Sequence, residues 1–203
     1  MIDLTRPLNA DTKIYRDGDY ADPPLVISHW CEIAETGFRV ARLELGTQTG
    51  THIDAPAHFL DGGATLDALD PAALIGRYYC IDAETLVDLD RLSTHLGGIS
   101  DETILLIRAD ETGTTIRAAN LDALLELGRN VWILAGSIEI ASRPPLEFHR
   151  RLAQAGIYLV EDIDSEAAAR LPKRGRIIAL PLRIEGVSGS PCRALALPSS
   201  QVG

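Results

Sequence analysis

The segment Gln48-Thr-Gly-Thr-His52-Ile-Asp54-Ala-Pro-Ala-His58-Phe59 places two histidines and an aspartate within seven positions, in a chain of 203 residues with only five His. If the backbone runs extended through Ile53, His52 and Asp54 project to the same side, because strand side chains alternate with period two. Pro56 then interrupts the ladder and re-aims His58. Two imidazoles and a carboxylate at this spacing make half of a divalent-metal site, since imidazole nitrogen and carboxylate oxygen bind Zn²⁺ at about 2 Å. For one isolated His, turn capping or a loop hydrogen bond is the better reading. Two histidines beside Asp54 favour the metal.

A second cluster lies downstream. In Leu146-Glu-Phe-His149-Arg-Arg-Leu152-Ala153, helical spacing puts Leu146, His149, Leu152 and Ala153 on one face, so His149 points inward. The run Ile157-Tyr-Leu-Val160 then ends in Glu161, and a carboxylate at the end of a buried strand sits where α/β proteins tend to form ligand sites. The bland alternatives are a core histidine bonded to a carbonyl and a surface acid. Taken singly, each outweighs function, and nothing local shows that these residues meet His52 and Asp54. His29-Trp30 can line a pocket that admits an aromatic ring. Ser137 lacks the G-x-S-x-G pattern of a nucleophile elbow and reads as a loop or cap residue.

The elements that must position these groups read as β-rich first and alternating afterwards. Val40 to Leu45 alternates like a half-buried strand, and Arg77 to Ile81 reads as another, ended by a helix start at residues 82–84. Further apolar runs fall at Thr103 to Ile107, Val131 to Ala135, Ile157 to Val160 and Arg176 to Leu182, with Trp132 as a core residue. Helical patterns separate the first three of these runs. Asn120 is the expected N-cap of one helix and Gly128 its stop; Pro144 or Pro145 opens the next and Gly156 closes it. The pattern predicts a mixed α/β fold, one domain over residues 1–203, with a central β-sheet flanked by helices.

Composition narrows the function classes. With 29 acidic against 19 basic side chains the net charge is −10, which disfavours nucleic acid. The densest basic stretch, Lys173, Arg174 and Arg176, reads as a solvated loop. Three scattered cysteines, Cys31, Cys80 and Cys192, and an opening without an apolar leader predict a cytoplasmic protein. No apolar run approaches the roughly 18 residues of a membrane helix. Neither a G-x-G-x-x-G nor a Walker A sequence occurs.

GTHIDAPAHF resembles the HxGTHxDxPxH signature of the metal-dependent cyclase family, which includes bacterial kynurenine formamidases and isatin hydrolases. The likeness extends from Asp-Leu-Thr-Arg-Pro-Leu near the start, through Tyr15 to Asp19, Phe148-His149 and Glu161, to the closing Ile178-Ala-Leu-Pro-Leu-Arg-Ile and Ser190-Pro-Cys-Arg-Ala. It implies the family's swivelling β/β/α-like architecture and one or two divalent ions, Zn or Mn. His52 and Asp54 would bind one ion; Asp54 and Glu161 would bridge to a second held also by His149. His58 would donate and accept the proton, and Tyr15 or Trp30 would contact a small-molecule substrate. Gln48 stands where the family has its first histidine. As a ligand, its neutral amide oxygen weakens a zinc site and shifts preference toward Mn²⁺ or Mg²⁺. The resemblance further implies a homodimer or higher homo-oligomer. The expected activity is hydrolysis of an amide or lactam bond in a small aromatic molecule, arylformamidase-like. Opening of a lactone or isatin-type ring, a cyclisation or dehydration, and a metal-poor binding protein are the alternatives.

Overall fold

Alternation along the strands sorts the apolar side chains into two layers, and this sorting positions the site. The computed structural model describes residues 1–99 and 102–198; the expected domain's last residues, 199–203, lie outside them. Its principal strands are β1 (Ile2–Asp3), β2 (Val26–Cys31), β3 (Val40–Glu44), β4 (His52–Asp54), β5 (Ile75–Asp82), β6 (Ile104–Arg108), β7 (Val131–Ala135), β8 (Tyr158–Glu161), β9 (Arg174–Pro181) and β10 (Gly189–Pro198). The longer helices are α1 (Leu89–Leu96), α2 (Ala118–Leu125), α3 (Glu147–Gln154) and α4 (Ser165–Ala169).

The main sheet has eight strands in the order β1-β10-β9-β5-β6-β7-β8-β4, and a further pairing of β10 with β4 closes it on itself. Strands β5, β6, β7 and β8 run parallel, joined by helical crossovers, while β4, β9 and β10 complete the ring antiparallel. The expected central sheet with helices is present; its closure into a mixed barrel joins segments too distant in the chain for any local pattern to reveal.

Tyr78, Cys80, Ile104, Leu106, Val131, Ile133, Tyr158, Val160 and Ile53 form one buried cluster, inside the ring. The intervening residues Tyr79, Ile81, Leu105, Ile107, Trp132, Leu134 and Leu159 form a second cluster with Leu92, Leu121, Leu124, Phe148 and Leu152 from the helices. The closed sheet therefore has two cores, one within and one beneath α1–α3. Phe148 is 1% exposed and packs beside Trp132 at 6.4 Å between ring centroids. Phe148→Ala should cost about 3–5 kcal/mol of stability, read by urea unfolding; a loss below 1 kcal/mol would show that α3 is not anchored by this ring.

Three local expectations change. Asn120 is not the N-cap of α2: the cap position is Arg117, and Asn120 lies buried inside the helix, its Nδ2 donating to the Leu86 carbonyl at 2.8 Å. That tertiary hydrogen bond outweighs the residue's capping preference. Strand β3 is not half-buried; both its faces, and all of β2 except Cys31, are exposed. Alternation reports a two-faced strand without saying what covers the apolar face. Arg174 and Arg176 belong to β9 rather than to a solvated loop, and Arg174 donates to Glu102 at 2.6 Å while stacking on Tyr79 at 4.7 Å. Among the described residues all three cysteines are free and buried.

Candidate metal centre

Strand alternation and one register place the first three groups. Ile53 and Val160 point into the ring, so His52, Asp54 and Glu161 project from its outer face. In the antiparallel pairing of β4 with β8, His52 lies directly opposite Glu161 and Asp54 opposite Leu159. Ligand atoms of His52, Asp54 and Glu161 accordingly lie within 4.8 Å of one another. His52 Nε2 is 3.5 Å from Asp54 Oδ1 and 3.4 Å from Glu161 Oε1. Its Nδ1, 2.7 Å from the Gly50 carbonyl, donates there, which turns Nε2 toward the two carboxylates.

Helix α3 brings the fourth group. Leu146 precedes it in a left-handed conformation (φ 64°), and Phe148, Leu152 and Ala153 bury the face that packs on the sheet. His149 reaches Glu161 Oε2 with Nε2 at 3.0 Å. Its Nδ1 and Asp54 Oδ2 are buried without hydrogen-bond partners. His58 comes from the 3₁₀ turn Pro56–His58, where Pro56 ends the strand as expected. The Phe59 ring lies 4.4 Å from His58 and 5.2 Å from His149, centroid to centroid.

These groups open onto a cavity of about 480 Å³ whose lining includes Gln48, His52, His58, His149 and Glu161 together with Tyr15, Tyr20, Phe59, Leu134 and Leu146. Tyr15 thus lies where a substrate contact was expected. Trp30 does not: it stands 68% exposed on β2, and neither it nor His29 lines this cavity. Sequence reasoning passed over Phe59, Tyr20 and Lys13, which also line it, as does Ser137, read there as a loop or cap residue. Only Phe59, adjoining His58, had a signal in the motif.

Electrostatics tie the cluster together. Burial opposes the charged form of His52, but hydrogen bonding to Asp54 and Glu161 outweighs it and raises the imidazole pKa well above its ordinary value of 6.5. His149 is raised in the same way, its burial overcome by Glu161. Burial also opposes the Glu161 carboxylate, yet His149 and His52 hold its pKa far below the usual 4.5. Without metal, the raised histidines add stability that is full below pH 6.5 and is lost as pH rises through their folded values. The lowered Glu161 adds stability that is present above pH 4.5 and lost on acidification. Metal-free protein should therefore be most stable between those limits and its melting temperature should fall toward pH 9. Because an ion needs neutral imidazoles, metal-induced stabilisation should grow over the same range. Thermal melts with and without Zn²⁺ at pH 6 and pH 9 test both trends; a metal effect independent of pH would contradict them.

Known proteins resemble this chain in sequence and in fold. Kynurenine formamidase of Bacillus thuringiensis (strain Al Hakam) is 28% identical over 211 residues, covering 97% of both chains, and that of Bacillus anthracis is 29% identical over 210 residues. The crystal structure of an isatin hydrolase bound to the product analogue thioisatinate superposes with a TM-score of 0.79 at 25% identity, covering 97% of this chain and 92% of that one. Isatin hydrolase A from Ralstonia solanacearum has the same fold, with a TM-score of 0.80 at 23% identity over 97% of this chain and 91% of its own. The family model described as "Putative cyclase" matches residues 2–133, well over half of the chain, and the protein belongs to that cyclase family.

Proposed function

We propose that the protein is a metal-dependent hydrolase that cleaves an amide or lactam bond in a small aromatic substrate. The observation that carries this reading is the convergence of His52, Asp54 and Glu161 beside a cavity that His52 and Glu161 line together with aromatic and aliphatic side chains. The donor set fits a divalent ion: an imidazole nitrogen already oriented by the Gly50 carbonyl, two carboxylates, and the buried, unpartnered Asp54 Oδ2. Nitrogen and oxygen donors without thiolate suit Zn²⁺ or Mn²⁺, as one ion or two, with His149 beside Glu161 as a further donor. Such an ion supplies Lewis acidity toward a carbonyl and makes water nucleophilic near neutral pH.

The chain's own residues do the rest. Tyr15, Tyr20 and Phe59 offer ring faces against which an aromatic substrate stacks and from which water is displaced. His58, at the cavity rim with its ring edge-on to Phe59, takes a proton from the attacking water and returns it to the departing nitrogen. Candidate substrates are N-formylkynurenine and isatin, after the activities for which the relatives are named. A screen of formylkynurenine, isatin and simple lactones with added Zn²⁺ or Mn²⁺ tests the proposal. Metal-dependent turnover of an amide or lactam is expected. Turnover of lactones alone would move the activity to ester bonds, and protein that stays metal-free after incubation with both ions would leave a binding protein.

The reading includes a homo-oligomer. In the β2–β3 hairpin Ile27 (55% exposed) lies opposite Leu43 (61%), and Val26, Trp30 and Val40 are exposed as well, apolar side chains of the kind that subunit contacts bury. Sedimentation velocity should show a dimer or larger species, shifted toward monomer by Trp30→Ser with Leu43→Ser; a wild-type monomer at micromolar concentration would exclude it. Among the described residues no helix is long and apolar enough to cross a membrane.

A further inference from the structure

Both ends of the Gln48 amide are already engaged. Its Oε1 accepts from the Thr47 hydroxyl at 2.5 Å, and its Nε2 faces Asp54 Oδ1 at 3.3 Å and the Ser188 hydroxyl at 3.5 Å. The opposite orientation would set a carbonyl oxygen against a carboxylate oxygen. In the observed one an N–H donates to the anion, a charge-assisted hydrogen bond. Gly189 makes the room: a Cβ there would lie 2.4 Å from Gln48 Nε2. An amide nitrogen carries no lone pair to offer a cation, and its hydrogens repel one.

We propose that Gln48 is a positioning residue, which fixes the rotation of the Asp54 carboxylate and stays outside the coordination shell of the ion. This rests on the metal-centre reading above and departs from the expectation that the Gln48 oxygen ligates. The ion would then be held by His52, Asp54 and Glu161, whose ligand atoms lie within 4.8 Å of one another. One N–H bond steadies Oδ1, so Asp54 meets the ion in a set orientation although its Oδ2 has no protein partner.

The test uses the full chain loaded with Zn²⁺ or Co²⁺. In a crystal structure of the Zn²⁺ form, Gln48 Nε2 stays within hydrogen-bond distance of Asp54 and no Gln48 atom enters the shell; Gln48 Oε1 at a ligand distance of about 2.0–2.2 Å overturns the proposal. Gln48→Met, of similar length but without a donor, weakens Zn²⁺ binding about 10- to 100-fold, the range for outer-shell partners, with unchanged stoichiometry. It also shifts the visible absorption bands of the Co²⁺ form, because the carboxylate turns; a merely structural role would leave those bands in place. Unchanged affinity and unchanged bands overturn the assignment. Wild-type protein that takes up neither ion overturns the metal-centre reading and this proposal with it, whereas an ion bound with Gln48 in its shell overturns the proposal alone.

Discussion

His52→Ala should abolish stoichiometric metal uptake and reduce hydrolysis to background. His52 lies within reach of both carboxylates, and it is 3% exposed, so water cannot readily replace it. Loss of an outer-shell partner already costs 10- to 100-fold in metal affinity, so loss of this imidazole should exceed about 100-fold. A second consequence follows from burial. Removing the imidazole shared by Asp54 and Glu161 leaves Asp54 with the Gln48 amide and Glu161 with His149, and breaking a buried ion pair costs about 3–5 kcal/mol. The metal-free variant should therefore melt below metal-free wild type, and it should lose the decline of stability at high pH that His52 causes. Elemental analysis, turnover and melting curves read the three effects. Full metal content in His52→Ala would remove this residue from the centre.

His58→Asn should separate chemistry from metal binding. Positioned acid–base groups contribute typically 10²- to 10⁴-fold, and kcat should fall by an amount in that range. Metal content should not change, because His58 sits on the turn after β4 and is not among the three clustered donors. If the variant loses metal, His58 is a ligand; if it keeps both metal and turnover, the proton passes through another group.

The second-half strands, and the residue types gathered in the candidate site, were legible in the sequence for physical reasons. Runs such as Val131–Ala135 are buried on both faces of the sheet and read as continuous apolar segments, and His52-Ile53-Asp54 carries its own alternation. The meeting of His52 with Glu161 was not legible from spacing alone, since it depends on the register of two strands from opposite halves of the chain. The family resemblance supplied that connection. Burial of Asn120 and exposure of Val40–Glu44 were misread because both depend on what covers a face, which local pattern does not encode. Trp30 was read as a pocket residue from its type and, by the resemblance, as one able to reach a neighbouring subunit's site; within one chain it does not line the cavity.

The closure of the sheet also dictates when the site comes into being. His52 pairs with Glu161 on one side and with Pro191 on the other, so its three-residue strand is held entirely by distant partners. Joining them closes loops of roughly 110 and 140 residues, whose entropy must be met before any contact there is rewarded. No early hairpin or helical fragment can present the donors together. The capacity to take up an ion should therefore arrive with the last, topologically costly step of folding, and metal capture in a refolding experiment should report completion of the native ring.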